Sequence, residues 1–195
     1  MKQPLTMLSK TLMKIPEHAK KVFSWKTFDT YQWEQEMFDG TTKTFEKLRR
    51  NPSVDTIAVS ESGEIYILEE EHPGRSPFYG LVWWTCEDWE EPIDTAKREL
   101  LEETGLVSDD WELFGSYEKS SRIDYTSNIF IARNCKRIQD QNLDSGEKIQ
   151  IRMVNWEDFL NIVADPKFRV QEFALETLRY VFLWKETELK NRILK

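Results

Sequence analysis

The sequence predicts a mixed α/β domain carrying an antiparallel β extension at its N-terminal end. Three observations predict it. Two pairs of aromatic and β-branched segments occupy residues 22–68, and such residues favour strands. A single helix is bounded by Pro92 and Gly105. Beyond it come three strand-like segments and then two helical ones. That order suits a mixed sheet packed between helices better than a doubly wound parallel sheet.

The first 22 residues read as an arm or a short helix, with Pro16 interrupting any long one. Phe23, Trp25, Phe28, Tyr31, Trp33, Phe38 and Phe45 suit strands, and Asp39-Gly40 signals a type I′ hairpin turn, whose two central residues both need φ > 0. A second hairpin joins Thr56–Val59 to Ile65–Leu68 through Ser60-Glu61-Ser62-Gly63-Glu64. Two prolines and a glycine make 72–77 a loop.

Pro92 opens the helix because the first helical N–H is unpaired in any case. Gly105 closes it as a C′ glycine, and Ile93, Ala96, Leu100 and Leu101 form its inner stripe. Strands are expected near Trp111–Tyr117, Ser127–Ala132 and Lys148–Val154. Helices are expected over Trp156–Val163 and from Val170 onward, the latter with Phe173, Leu175, Leu178, Val181 and Phe182 as its apolar face.

A chain of 195 residues, 39% hydrophobic and 13% aromatic, has enough apolar surface for one core of ordinary size and is not a disordered composition. With 27 basic against 35 acidic residues and a net charge of −8, a nucleic-acid partner is disfavoured. Cys86 and Cys135 lie outside any CxxC pair, which favours two free thiols in a reducing compartment over one disulfide. No run approaches the roughly 18 apolar residues of a membrane span. Lys2, Lys10 and Lys14 precede no apolar run of a secretory leader. A soluble, cytoplasmic protein is the expectation.

The chemistry is concentrated in Arg98-Glu99-Leu100-Leu101-Glu102-Glu103-Thr104-Gly105-Leu106. On a helix, Glu99 lies three and four residues from Glu102 and Glu103, so the three carboxylates crowd one side. Their repulsion reverses when a divalent cation sits among them, and magnesium takes hard oxygen ligands of this kind. Arg98 is placed to pair with a neighbouring carboxylate and fix its rotamer. From three glutamates alone, a solvated surface face is the commoner explanation.

The whole pattern changes that balance. Glu90, seven residues, Arg98-Glu99-Leu100, one residue, Glu102-Glu103, one residue and Gly105-Leu106 resembles the Nudix box, G-x5-E-x7-R-E-U-x-E-E-x-G-U with U aliphatic. Every element from Glu90 onward matches. The box glycine falls at Trp84, preceded by Trp83, and Trp89 stands where a small residue is usual. Upstream, Glu69-Glu70-Glu71-His72-Pro73-Gly74-Arg75-Ser76-Pro77 is similar to the E-Q-x-R-P-G-R-S-P of the ADP-ribose pyrophosphatase branch, with His72 in place of an arginine and Arg75 retained. Downstream, Asp144-Ser145-Gly146-Glu147-Lys148-Ile149 resembles the family's acidic loop before a strand.

The resemblance covers roughly residues 28–183. It implies an α/β/α sandwich with a mixed sheet, in which residues 1–50 form an N-terminal arm and β hairpin serving dimer and substrate, and 51–195 the hydrolase domain. It implies Glu99 and Glu103 as magnesium ligands, with Glu102 a third ligand or helper and the backbone carbonyl of Trp83 joining them; manganese is the second candidate ion. Glu147 would orient or deprotonate water, with Asp140 and Asp144 near enough to substitute, and Glu102 and Arg98 would assist catalysis. Arg75 and His72 would bind substrate, although a turn-capping role for His72 is nearly as well motivated. The reaction implied is hydrolysis of the pyrophosphate bond of a nucleoside diphosphate compound, with ADP-ribose or a nucleotide sugar leading and a modified nucleoside triphosphate less favoured. A homodimer acting on a small nucleotide is implied. A catalytically impaired domain that binds a nucleotide as a sensor is the alternative that Trp83, Trp84 and His72 motivate.

Overall fold

A computed structural model describes residues 14–118, 120–143 and 145–195. In chain order its elements are β1 (Lys20–Ser24), β2 (Asp29–Glu36), β3 (Thr42–Arg49), β4 (Ser53–Ser60), β5 (Ile65–Glu71), β6 (Phe78–Gly80), β7 (Val82–Thr85) and α1 (Pro92–Thr104). There follow β8 (Leu106–Val107), β9 (Asp110–Glu118), β10 (Ile123–Asp124), β11 (Thr126–Arg137), β12 (Lys148–Val154), α2 (Trp156–Ala164), α3 (Gln171–Phe182) and α4 (Glu186–Leu194). Residues 1–13 and Asp144 lie outside the described part, so the expected arm is described only from Lys14, and β1 occupies the stretch immediately before Trp25.

The chain divides into two compact units. The first comprises Met1–Pro52 with Ser116–Ser127, the second Ser53–Gly115 with Asn128–Lys195. In the first, β1, β2 and β3 form an antiparallel meander and β10 adds in parallel to β3. Its hairpin turns where Asp39-Gly40 predicts, but not as type I′. Gly40 alone has a positive φ (78°), and Asp39 Oδ1 accepts from the Thr41 amide at 3.0 Å, so the loop is longer than two residues.

The second unit is built on the sheet β12-β5-β4-β11-β8, with β6 on β5, β7 on β4 and β9 on β11. All eight residues of β4 are buried, so both of its faces are covered. Both α1 and α4 pack on it, and α2 packs on β5. The result is the expected α/β class with helices against a central sheet. The hairpin joining β4 to β5 is closed by Gly63, at φ 81°, and by Ser60 Oγ accepting from the Glu64 amide at 3.0 Å. Both cysteines are buried and neither forms a disulfide. Among the described residues no helix is long and apolar enough to cross a membrane.

α3 departs from expectation. Phe173 is fully buried, yet Leu175, Leu178, Val181 and Phe182 are 50%, 56%, 40% and 82% exposed. The inward face instead carries Phe173, Glu176 and Thr177, at the three- and four-residue spacing of one helix side. The helical run also breaks at Trp184, whose φ is 60°, before α4 turns Leu189 and Ile193 inward. Apolar periodicity marked a helix there without marking which side met the core.

Candidate active site

α1 begins at Pro92 and ends at Gly105, whose φ of 72° lets its amide bond to the Leu101 carbonyl. The buried stripe includes Ala96, Glu99, Leu100 and Glu103. Ile93 and Leu101 are only partly covered. Two carboxylates therefore occupy positions that patterning reserves for apolar side chains, while Glu102 stays 40% exposed at its side chain.

Arg98 organises the outer edge. Its Nε and Nη2 grip the two oxygens of Glu90 at 2.8 and 3.0 Å, and Nη1 donates to Glu102 at 3.0 Å and to Glu99. Thr95 Oγ1 donates to Glu90 at 2.9 Å. The arginine and Thr95 together hold the Glu90 carboxyl down to about 2. Glu90 thereby ties the loop before α1 to the helix. We expect Arg98→Gln to lower stability by roughly 1.5–3 kcal/mol, the worth of hydrogen bonds to a charged group, because the Glu90 carboxylate, on a largely covered side chain, loses both of its arginine contacts. Thermal unfolding checks this, and an unchanged midpoint would mean that the loop is held elsewhere.

Glu99 and Glu103 have the opposite environment. Burial, with Glu102 and Glu147 adding repulsion, pushes Glu99 up to about 7 despite Arg98. Burial pushes Glu103 well above the usual carboxylate range, with Glu70, Glu99 and Glu147 adding to it and the Trp83 amide opposing. Oε2 of Glu103 has no hydrogen-bond partner. Trp83 and Trp84 lie in β7, paired with Asp55 and Val54 of β4, and neither has a positive φ. The indoles at the expected glycine position thus sit on ordinary extended backbone, and the main chain of Trp83 meets Glu103 through its N–H.

His72–Arg75 and Ser145–Lys148 line one cavity of about 410 Å³. It brings together His72, Arg75 and Glu147, which the sequence separates widely. A second cavity of similar volume, lined by Leu178, Arg179, Phe182 and Leu183, is apolar and holds none of these residues. Arg137 pairs Asp140 at 3.6 Å on a fully exposed carboxylate.

Two residues of the site were missed. Glu70 is 1% exposed; its Oε2 meets His72 Nε2 at 3.0 Å and its Oε1 has no partner. Gly80 makes room for it, since a Cβ there would lie 2.1 Å from that oxygen. Burial raises its pKa, and His72 and Arg169 oppose the rise. Strand alternation carried the signal, because Glu70 follows Leu68 by two residues and shares its inward face. Arg169 had no local signal; it reaches the site only through the packing of its segment against β6.

A hard divalent cation fits this donor set. The side-chain donors are carboxylate oxygens, and two of those oxygens are buried without partners. Among the described residues no three acidic, histidine or cysteine side chains stand at metal-ligand spacing, and Glu99 is hydrogen-bonded to Arg98. Glu99 and Glu103 are the residues that would hold the ion.

The NUDIX domain profile matches residues 49–175. The chain is 26% identical over 147 residues to an ADP-ribose pyrophosphatase of Bacillus subtilis (strain 168), covering 74% of this chain and 80% of that protein. A crystal structure of an ADP compounds hydrolase superposes with a TM-score of 0.69 at 19% identity, over 92% of this chain and 98% of the other, a likeness of fold.

Proposed function

The chain belongs to the Nudix family as a Nudix hydrolase, and on that premise we propose that it hydrolyses the pyrophosphate bond of ADP-ribose or a nucleotide sugar, with magnesium, or manganese second, as its ion. One observation carries the reading: Glu103, with a buried unpartnered oxygen, shares an electrostatic neighbourhood with Glu99, Glu70 and Glu147, while Glu147 lines the same cavity as His72 and Arg75. Glu147 thereby links a carboxylate set able to hold a cation to a cavity whose basic residues can hold phosphate. The likeness to the Bacillus subtilis ADP-ribose pyrophosphatase supports the substrate class.

When bound, the ion neutralises pyrophosphate oxygens and activates water. The protein's own residues supply the rest of the chemistry. Glu147 accepts the proton of the attacking water, whose oxygen joins one phosphorus. The bridging oxygen leaves with the other phosphate, giving a nucleoside monophosphate and a sugar phosphate. Arg75 and His72 steady the diphosphate, Trp83 presents its main chain beside Glu103, Glu102 assists from the exposed side, and Arg98 holds Glu99 and Glu90 in place. Homodimer formation through the N-terminal extension and a cytoplasmic location complete the reading. The impaired, binding-only alternative is not favoured, since Trp83 and Trp84, two of the three residues that motivate it, occupy a paired strand without positive φ.

The test is product analysis of the purified protein with ADP-ribose, ADP-glucose, NADH and a triphosphate panel, with magnesium, manganese or EDTA. AMP released from ADP-ribose with the metal and not with EDTA is the expected result. No turnover of any diphosphate with either ion would defeat the proposal.

A further inference from the structure

The segment after α2 threads past β6 in a fixed path. The Tyr79 amide bonds to the Lys167 carbonyl at 3.1 Å and the Arg169 amide to the Tyr79 carbonyl at 2.9 Å. Phe168 and Val170, on either side of Arg169, are 1% and 2% exposed. From this anchored backbone the Arg169 guanidinium lies 3.8 Å from the centroid of the Trp83 ring and 5.2 Å from that of Phe78. A planar cation over an indole face is held by the ring quadrupole and keeps its edges free. Phe78 is itself stacked on His72, at 5.5 Å and 7°.

A guanidinium carries five N–H donors. Among the described residues none of those of Arg169 makes a side-chain hydrogen bond or ion pair. Yet Glu70, Asp55 and Glu103 attract its charge, and Arg75 repels it. A mere counter-ion for the two buried glutamates would bond them, but Glu70 Oε1 and Glu103 Oε2 are left without partners. The arginine is therefore clamped by aromatic rings with its donors spare, in the neighbourhood of a second guanidinium and beside carboxylates suited to a cation.

We propose that Arg169 is a substrate-binding residue whose N–H edge receives non-bridging oxygens of the diphosphate, with Trp83 setting the plane of the guanidinium and Arg75 sharing the load. This rests on the diphosphate-hydrolase reading above and adds to it a residue from outside the box.

The full-length protein is compared with Arg169→Met and Arg169→Lys in two measurements: steady-state hydrolysis of ADP-ribose with magnesium, and calorimetric titration with inorganic pyrophosphate in EDTA. Arg169→Met is expected to raise KM and weaken pyrophosphate binding by at least ~10-fold each while kcat stays within about 3-fold, as befits a lost charged hydrogen-bonding group. Arg169→Lys keeps the charge without the fork and should fall between the two, which also covers a Met variant that fails to fold. Unchanged KM and affinity in either variant, a loss of kcat alone, or no pyrophosphate binding by the parent protein would overturn the proposal. A parent that hydrolyses no diphosphate, yet binds pyrophosphate through Arg169, would defeat the hydrolase reading and leave this one standing.

Discussion

Glu103→Gln is expected to reduce turnover by at least ~10²-fold, since even outer-shell partners of a bound metal are worth 10–100-fold, and at the same time to stabilise the metal-free protein. Both effects have one cause. Glu103 is 3% exposed, its Oε2 has no partner, and burial with three neighbouring carboxylates disfavours its charge. The folded state holds protons on Glu99 and Glu103 more tightly than the unfolded chain does. Stability therefore falls as pH rises from near 4.5 through about 7, the value to which Glu99 is pushed. A cation bound between these side chains removes that cost. In EDTA the parent protein should melt at a lower temperature at pH 7.5 than at pH 5.5, magnesium should restore much of the difference, and Glu103→Gln should reduce it. A variant that keeps its turnover, or a melting temperature that rises with pH in EDTA, would show that Glu103 is not a metal-holding carboxylate.

Gly105→Ala is expected to be the most damaging single change to the fold, at about 3 kcal/mol or more. Gly105 has φ 72°, where a Cβ alone costs roughly 1–2 kcal/mol. That Cβ would also lie 2.0 Å from the main-chain oxygen of Gln139, and a backbone atom cannot swing aside as a side-chain tip can. The segment concerned is well tied down: the Ile138 amide bonds to the Gly105 carbonyl at 2.9 Å, and Gln141 Nε2 to that of Glu103 at 2.7 Å. For a chain of this length the melting temperature should drop by about 6–12 °C. Gly40→Ala is the control, with a similar φ of 78° and nothing within 4 Å, so it should lose only about 1 kcal/mol. Equal losses at the two glycines would show that the crowding at Gln139 is relieved cheaply.

Local rules made much of this protein legible in its sequence. Pro92 and Gly105 bound the helix because one lacks an N–H where none is needed and the other tolerates positive φ. Glu99, Glu102 and Glu103 share a neighbourhood because the helix repeats every 3.6 residues. The hairpin between β4 and β5 follows from two runs of apolar and β-branched residues with one glycine between them. What the sequence by itself determined was therefore the principal hairpins, the central helix with its punctuation and the placing of carboxylates on that helix.

Tertiary structure decided everything that depends on residues far apart. It set which side of α3 faces the core, which periodicity leaves open when apolar residues surround a helix. It brought Glu147 and Arg75 to one cavity across the pairing of β12 with β5. It buried Glu70 beside Gly80, and it laid Arg169 on Trp83. Burial and long-range charge made Glu99 and Glu103 reluctant to ionise and Glu90 ready to, although all three are the same residue on or beside one helix. A side chain's chemistry depends on the water and charge around it, and only the folded chain assembles those surroundings.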